Sequence, residues 1–250
     1  MTFRVRLLTD NDPPDAFPDP AAARAVLGYP DGLIAVGGDL SPARLLAAYK
    51  RGIFPWYNED QPILWWSPNP RAIIYPQHFH MSRRLAQELR SNKWTYSLNT
   101  AFEQVIDGCA SERGKHGTWI TPAMRQAYMH MHAIGYAHSV ESWYEGQLAG
   151  GIYGIRLGKC FFGESMFSKQ TGGSKVAISG LINISLIDEI ELLDCQMPTQ
   201  HLRSLGMQEI ARPDFLALLT TAIRGATDLP DWHFAARNAA ELAALRHLSG

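Results

Sequence analysis

The sequence predicts an α/β protein with a mixed sheet, on three observations. From His138 onward, three β-rich runs (residues 138–144, 147–156 and 159–167) are separated by the dipeptides Glu145-Gly146 and Leu157-Gly158, which suit tight hairpins and imply an antiparallel meander. Gly172-Gly173-Ser174-Lys175 then opens a helical run in which Val176, Ile178, Leu181, Ile182, Ile184 and Ile187 leave few polar faces, as expected of a helix covered on most sides. Residues 190–194 form a short apolar strand that a crossover of this length lays parallel to 159–167. Asp194 and Gln196 thereby reach the same sheet end as Glu164, and the ends of adjacent parallel strands are where α/β sheets place ligands.

Bulk properties bound the rest. A chain of 250 residues, 46% hydrophobic and 19% charged, is an ordinary globular composition with room for one large or two small domains. The N-terminus lacks a long apolar core and no stretch approaches eighteen apolar residues, so neither secretion nor membrane insertion is expected. Three scattered cysteines, Cys109, Cys160 and Cys195, fit a reducing cytoplasm better than a disulfide scaffold. A net charge of −1 argues against a strongly basic nucleic-acid binder, but residues 71–125 hold eight Lys and Arg against four Asp and Glu. Arg71, Arg83, Arg84, Arg90 and Lys93 in this block could line a phosphate-facing surface; a solvated helix face would produce the same excess.

Taken in order, residues 10–32 carry five prolines and read as loop. Gly37-Gly38-Asp39-Leu40-Ser41-Pro42 gives a turn, a serine cap and proline at the first helical position, starting a helix that ends at Gly52. Gly52-Ile53-Phe54-Pro55-Trp56 and Pro62-Ile63-Leu64-Trp65-Trp66-Ser67-Pro68 cannot be regular helix. They form either a packed domain joint or an aromatic wall for a flat ligand. A short basic helix over 82–90 and a strand over 94–98 follow. Thr100-Ala101-Phe102-Glu103 has the spacing of a capping box, and Thr121-Pro122 repeats the cap-then-proline device. After Gln196 come a short helix from His201 to Gly206, a strand over 208–211 and a last helix over 215–223.

The chemistry is concentrated at Glu164. A carboxylate among Phe161, Phe162, Met166 and Phe167 is expensive to desolvate unless a partner or ligand meets it. Other chemistries lack their spacing. Gly172-Gly173-Ser174-Lys175 is not a Walker loop, and His78/His80 and His130/His132 stand two apart with no zinc motif, so no metal is expected. Cys195 has no flanking cation and is expected to be a small core residue rather than a nucleophile.

The ordered motifs Gly32-Leu-Ile-Ala-Val-Gly-Gly-Asp-Leu-Ser-Pro42, Gly52-Ile-Phe-Pro-Trp56, Ile63-Leu-Trp-Trp-Ser-Pro68, Gly117-Thr-Trp-Ile120, Ala137-His-Ser-Val-Glu141, Gly163-Glu-Ser-Met-Phe-Ser168, Asp194-Cys-Gln196 and Ser204-Leu-Gly206 closely resemble the leucyl/phenylalanyl-tRNA-protein transferases. These bacterial enzymes move leucine or phenylalanine from aminoacyl-tRNA onto protein N-termini. One departure stands out: where this family usually reads Asn-Ala-Ser-Lys, the chain has Gly172-Gly173-Ser174-Lys175, which keeps the helix start but loosens the loop.

The resemblance implies a small N-terminal α/β domain (1–70) and a larger C-terminal domain of GNAT-like fold (71–250). It implies a donor pocket involving Met166, Phe167 and Ser168, contacts of Trp56 and Trp119 with the terminal aminoacyl-adenosine, and a reaction centre of Glu164, Asp194 and Gln196. No cofactor is implied. The partners implied are tRNA charged with Leu, Phe or Met, and proteins beginning with Arg or Lys, which transfer would mark for degradation by the N-end rule. A monomer is expected. Within that frame Asp194 orients Gln196, the Gln196 amide oxygen accepts from the attacking amine, and Glu164 supplies negative potential for a cationic acceptor. Asp194 and Gln196 are expected at a strand end, removable without loss of fold. Two other classes remain: an acyl-CoA-dependent GNAT acetyltransferase, against which the missing pyrophosphate loop argues, and a non-enzymatic RNA-binding module, against which buried carboxylates argue.

Overall fold

A computed structural model describes residues 4–25, 31–112, 120–224 and 232–249. A first sheet of four short strands is built from β1 (Arg6–Leu8), β2 (Leu33–Gly37), β3 (Phe54–Pro55) and β4 (Leu64–Trp66), in the order β1-β2-β4-β3. Helix α1 (Pro42–Tyr49) lies between β2 and β3 in sequence, capped as expected: the Ser41 hydroxyl accepts from the Arg44 amide and Pro42 occupies the first turn. The Trp- and Pro-rich stretch is thus partly strand. Trp66 donates its indole N–H to the Trp56 carbonyl at 2.8 Å, and Trp65 donates its own to that of Gly37 at 2.9 Å.

The second sheet has eight strands: β5 (Arg71–Ile74), β6 (Trp94–Leu98), β7 (Ala137–Tyr144), β8 (Gln147–Leu157), β9 (Cys160–Ser168), β10 (Leu192–Gln196), β11 (Gln208–Ile210) and β12 (Phe234–Asn238), in the order β11-β5-β10-β9-β8-β7-β6-β12. Its helices are α2 (Arg83–Leu89), α3 (Phe102–Glu112), α4 (Pro122–Ala133), α5 (Gly173–Ile187), α6 (Gln200–Arg203) and α7 (Arg212–Ala222). A 3-10 segment, Ala239–Ser249, closes the described chain. The meander is present as expected, with Glu145 and Gly146 both at positive φ in the first hairpin. The crossover through α5 brings β10 beside β9 in parallel, the single parallel pair among the described strands of this sheet.

Two apolar layers cover the sheet. One joins α1, α3, α4, α7 and the first sheet; the other joins α2, α5 and the closing 3-10 segment. The strand order contains two devices that sequence alternation did not anticipate. In β9 the pairing with β8 shifts between Gly163 and Ser165. The side chains of Phe162 and Phe167, five apart, therefore share the α3 layer while Met166 faces the α5 layer. In β10 the pairing with β5 shifts between Asp194 and Gln196, leaving Cys195 as the extra residue. The Thr100 capping box does not form: helix α3 begins at Phe102, and the Thr100 hydroxyl donates to the Phe234 carbonyl.

Candidate active site

The two irregular strand ends make the site. Pairing of β9 with β10 stops at Phe162 and Asp194, and beyond it the strands diverge. A Cβ built on Gly163 would make only ordinary contact, 3.6 Å from the Asp194 carbonyl oxygen, and Gly163 lines a cavity at this point. The cavity, of about 470 Å³, is walled by Ile152, Phe161, Met166, Ile178, Leu181 and Leu193, with exposed Trp56 and Met197 on its rim. Glu164, Asp194 and Gln196 also line it. The result is a largely apolar slot that holds a few polar side chains, Glu164, Asp194 and Gln196 among them, the usual form of a small-ligand site.

Asp194 is fully buried. It is held by the Arg71 guanidinium, whose Nε and Nη2 donate to its two oxygens at 2.8 and 2.5 Å. Arg71 also donates to the Gly52 carbonyl and lies between the Phe54 and Phe215 rings. The Gln196 backbone N–H donates to the same Asp194 oxygen at 2.9 Å, which pins Gln196 at φ +63°, a left-handed conformation unfavourable for a non-glycine residue. The Gln196 Nε2 donates to Glu164 Oε1 at 2.9 Å.

Glu164 is the centre of a tight cluster. The Tyr49 hydroxyl lies 2.7 Å from Oε1, the Tyr128 hydroxyl 2.7 Å from Oε2, and the two hydroxyls 2.5 Å from each other. Burial pushes the Glu164 carboxyl up to about 7, opposed by these hydrogen bonds and reinforced by Asp194. Burial, and then the Glu164 charge, also raise both tyrosines well above their ordinary range.

The expected residues are therefore only partly reunited. Glu164, Asp194, Gln196, Met166 and Trp56 meet at the cavity, and Trp119 lies outside the described residues. Phe167 is not a pocket wall: the β9 bulge turns it into the α3 layer, against the backbone gap left by Gly108. Ser168 instead ties the β9–α5 turn, donating to the Gln170 carbonyl and accepting from the Ser174 amide. Arg71 is no surface cation, because it is consumed by Asp194 in the core. Arg83, Arg84 and Arg90 are exposed around α2, while Lys93 pairs with Glu145 at 3.1 Å. Burial, then Asp194, push the Cys195 thiol up, so it holds no thiolate. Missed from sequence were Tyr49 and Tyr128, whose helical spacing reads as core.

The family model described as leucyl/phenylalanyl-tRNA protein transferase matches residues 73–220, and that of its N-terminal domain matches residues 38–69. The chain belongs to this family. Proteins named leucyl/phenylalanyl-tRNA--protein transferase include one from Desulfatibacillum aliphaticivorans, 51% identical over 89% of this chain and 94% of its own. Another, from Aromatoleum aromaticum, is 54% identical over 80% of this chain and 85% of its own. A third, from Xanthomonas axonopodis pv. citri, is 51% identical over 86% of each. Tyr128, Glu164, Asp194 and Gln196 stand within the main match and Tyr49 in the stretch matched by the N-terminal domain, while Arg71 falls between the two, two residues before the main match. Among the described residues no group of three or more His, Cys, Asp or Glu is placed to hold a metal, and no helix is long and apolar enough to cross a membrane.

Proposed function

We propose that this enzyme transfers leucine or phenylalanine, with methionine as a third donor, from aminoacyl-tRNA to the N-terminal α-amine of proteins beginning with Arg or Lys, working as a monomer in the cytoplasm. The observation that carries it is the apolar cavity of about 470 Å³ ending on Gln196, of a size and character suited to one large uncharged side chain beside a reacting ester. The aminoacyl side chain enters between β9 and α5, Trp56 at the rim meets the terminal adenosine, and the exposed arginines around α2 meet the tRNA phosphates.

The chemistry asked of the protein is small. Aminolysis of an activated ester is downhill, and an α-amine with an ordinary pKa of about 7.7–8.0 is partly neutral near neutral pH. Holding that amine in line with the carbonyl supplies much of the rate. Since the Gln196 amide nitrogen is committed to Glu164, its amide oxygen is the acceptor left to orient the amine. Asp194, clamped by Arg71, fixes the backbone from which Gln196 projects.

The test is transfer of labelled leucine from leucyl-tRNA to a peptide beginning with arginine. Absence of transfer, with acylation of the same peptide from an acyl-CoA, would replace this function by an acyl-CoA-dependent acetyltransferase.

A further inference from the structure

Four oxygens meet around Glu164 in three pairs: Tyr49 with Oε1, Tyr49 with Tyr128, and Tyr128 with Oε2. Each pair is at hydrogen-bond distance and each needs a proton between its oxygens. Two tyrosines bring two protons. With an ionised carboxylate one of the three pairs has no proton: if both hydroxyls donate to it, the tyrosine oxygens stand 2.5 Å apart with two lone pairs facing each other. A third proton resolves this. With Glu164 protonated on Oε2, that group donates to Tyr128, Tyr128 donates to Tyr49, and Tyr49 donates to Oε1. Oε1 is then a carbonyl oxygen and also receives the Gln196 amide N–H.

We propose that Glu164 stands as a neutral carboxylic acid in the resting enzyme, closing a ring of hydrogen bonds with Tyr49 and Tyr128, and that this form positions the Gln196 amide. It thus does not present negative charge to the acceptor. No covalent step is involved: one proton is held between Glu164 and the two hydroxyls, and ionisation releases it to solvent and breaks the ring. The surroundings agree. Tyr49 comes from α1 and Tyr128 from α4, with Tyr153 of β8 beside them; Asp194 of β10 is the nearby carboxylate, and its charge is taken by Arg71 of β5. The Cys160 and Cys195 thiols near Asp194 are kept neutral by burial. Among the described residues no cation stands with the groups that shift Glu164, and burial carries its titration to about 7.

The protonation state is tested on the free full-length enzyme, without tRNA, and so independently of the transfer reaction on which its positioning role rests. Infrared spectra of wild type minus Glu164→Gln should show the carbonyl stretch of a protonated carboxylic acid at about pH 6, fading as pH rises through about 7. A carboxylate band in its place would overturn the proposal. The amide of the variant places a donor nitrogen and an acceptor oxygen where the neutral acid has its hydroxyl and carbonyl; if it does not fold, Tyr128→Phe, which opens the ring, should shift the same carbonyl band, and an unmoved band sinks the ring. For positioning, the readout is the transfer rate of wild type relative to Glu164→Gln with one acceptor peptide, so that titration of the amine cancels. That ratio should fall about tenfold between about pH 6 and about pH 8, following loss of the neutral acid. A constant ratio would show that Glu164 does not act through its neutral form. Failure of wild type to transfer at any pH would count against the proposed function and leave the infrared result standing.

Discussion

Asp194 shows how position within a strand decides what a residue can be asked to do. A carboxylate at a strand end could be removed without harm to the fold, but this one has no solvent exposure and pairs with an arginine that is equally buried. Asp194→Ala therefore leaves Arg71 charged in an apolar layer, and stability should fall by about 3–5 kcal/mol in chemical unfolding. Arg71→Met combined with Asp194→Leu removes both charges and should recover most of that loss, since apolar replacement of a buried pair is often neutral or stabilising. Transfer should stay lost in the double variant, because the oxygen that holds the Gln196 amide is gone. If the double variant were as unstable as Asp194→Ala, the pair would be more than mutual compensation. Gln196→Ala breaks no ion pair, so it should depress transfer with little change in stability, and the two variants together separate chemistry from fold.

At the scale of elements, the junction of β9 with α5 has the least slack. Gly173 opens α5 directly on β8: a Cβ there would stand 2.4 Å from the Ala149 carbonyl oxygen, and one on Gly150 would stand 2.6 Å from Gly173 in return. Glycines at 150 and 173 let the two backbones touch at this junction. Gly173→Ala must push the start of α5 away from the sheet and should cost roughly 1–3 kcal/mol in thermal or chemical unfolding. An unchanged midpoint would mean the helix start shifts freely. Strands β7 to β10 were legible because turn dipeptides and a long apolar helix punctuate them. Strand β5 was not: Arg71-Ala72-Ile73-Ile74 is four residues after a proline-rich stretch, and its arginine reads as surface charge until Asp194 is placed opposite. The two bulges were equally hidden, because period-2 alternation puts Glu164, Met166 and Ser168 on one face, and only the pairing partners reveal the change of phase. On α2 the exposed Arg83 and Arg84 give a cleaner test of charge: reversing both should weaken tRNA binding and lower its salt slope by roughly one for each phosphate no longer neutralised, while a minimal aminoacyl-adenosine donor binds as before. Equal weakening for both donors would assign α2 another role.

The whole molecule is organised so that its two sheets meet at one cluster. Tyr49 comes from the end of α1, next to the first sheet, Glu164 from the middle of the second, and Tyr128 from α4 in the layer that joins the two. Residues separated by 79 and by 115 positions meet here, which is why the sequence pointed to Glu164 but not to what surrounds it. Donors are sorted by a cavity that is yielding on one side and fixed on the other. Its apolar wall contains Met166, an unbranched side chain that adapts to irregular shapes. The fixed end is Gln196, locked through its backbone to Asp194 and through its side-chain amide to Glu164. Leucine, phenylalanine and methionine branch or end away from the backbone and place their bulk against the yielding wall. Isoleucine and valine carry a second heavy atom on Cβ, beside the ester carbonyl, and turn stiffly about that bond. Their bulk meets the fixed end, where a displacement of about 1 Å can cost on the order of a hundredfold in rate. A missing or extra methylene in an apolar slot is worth about tenfold to two-hundredfold in kcat/KM. Isoleucyl- and valyl-tRNA of matched body sequence should therefore be discriminated against in single-turnover rate at saturation as well as in binding. Transfer of isoleucine as fast as leucine once bound would mean that the Gln196 end gives way as readily as the Met166 wall.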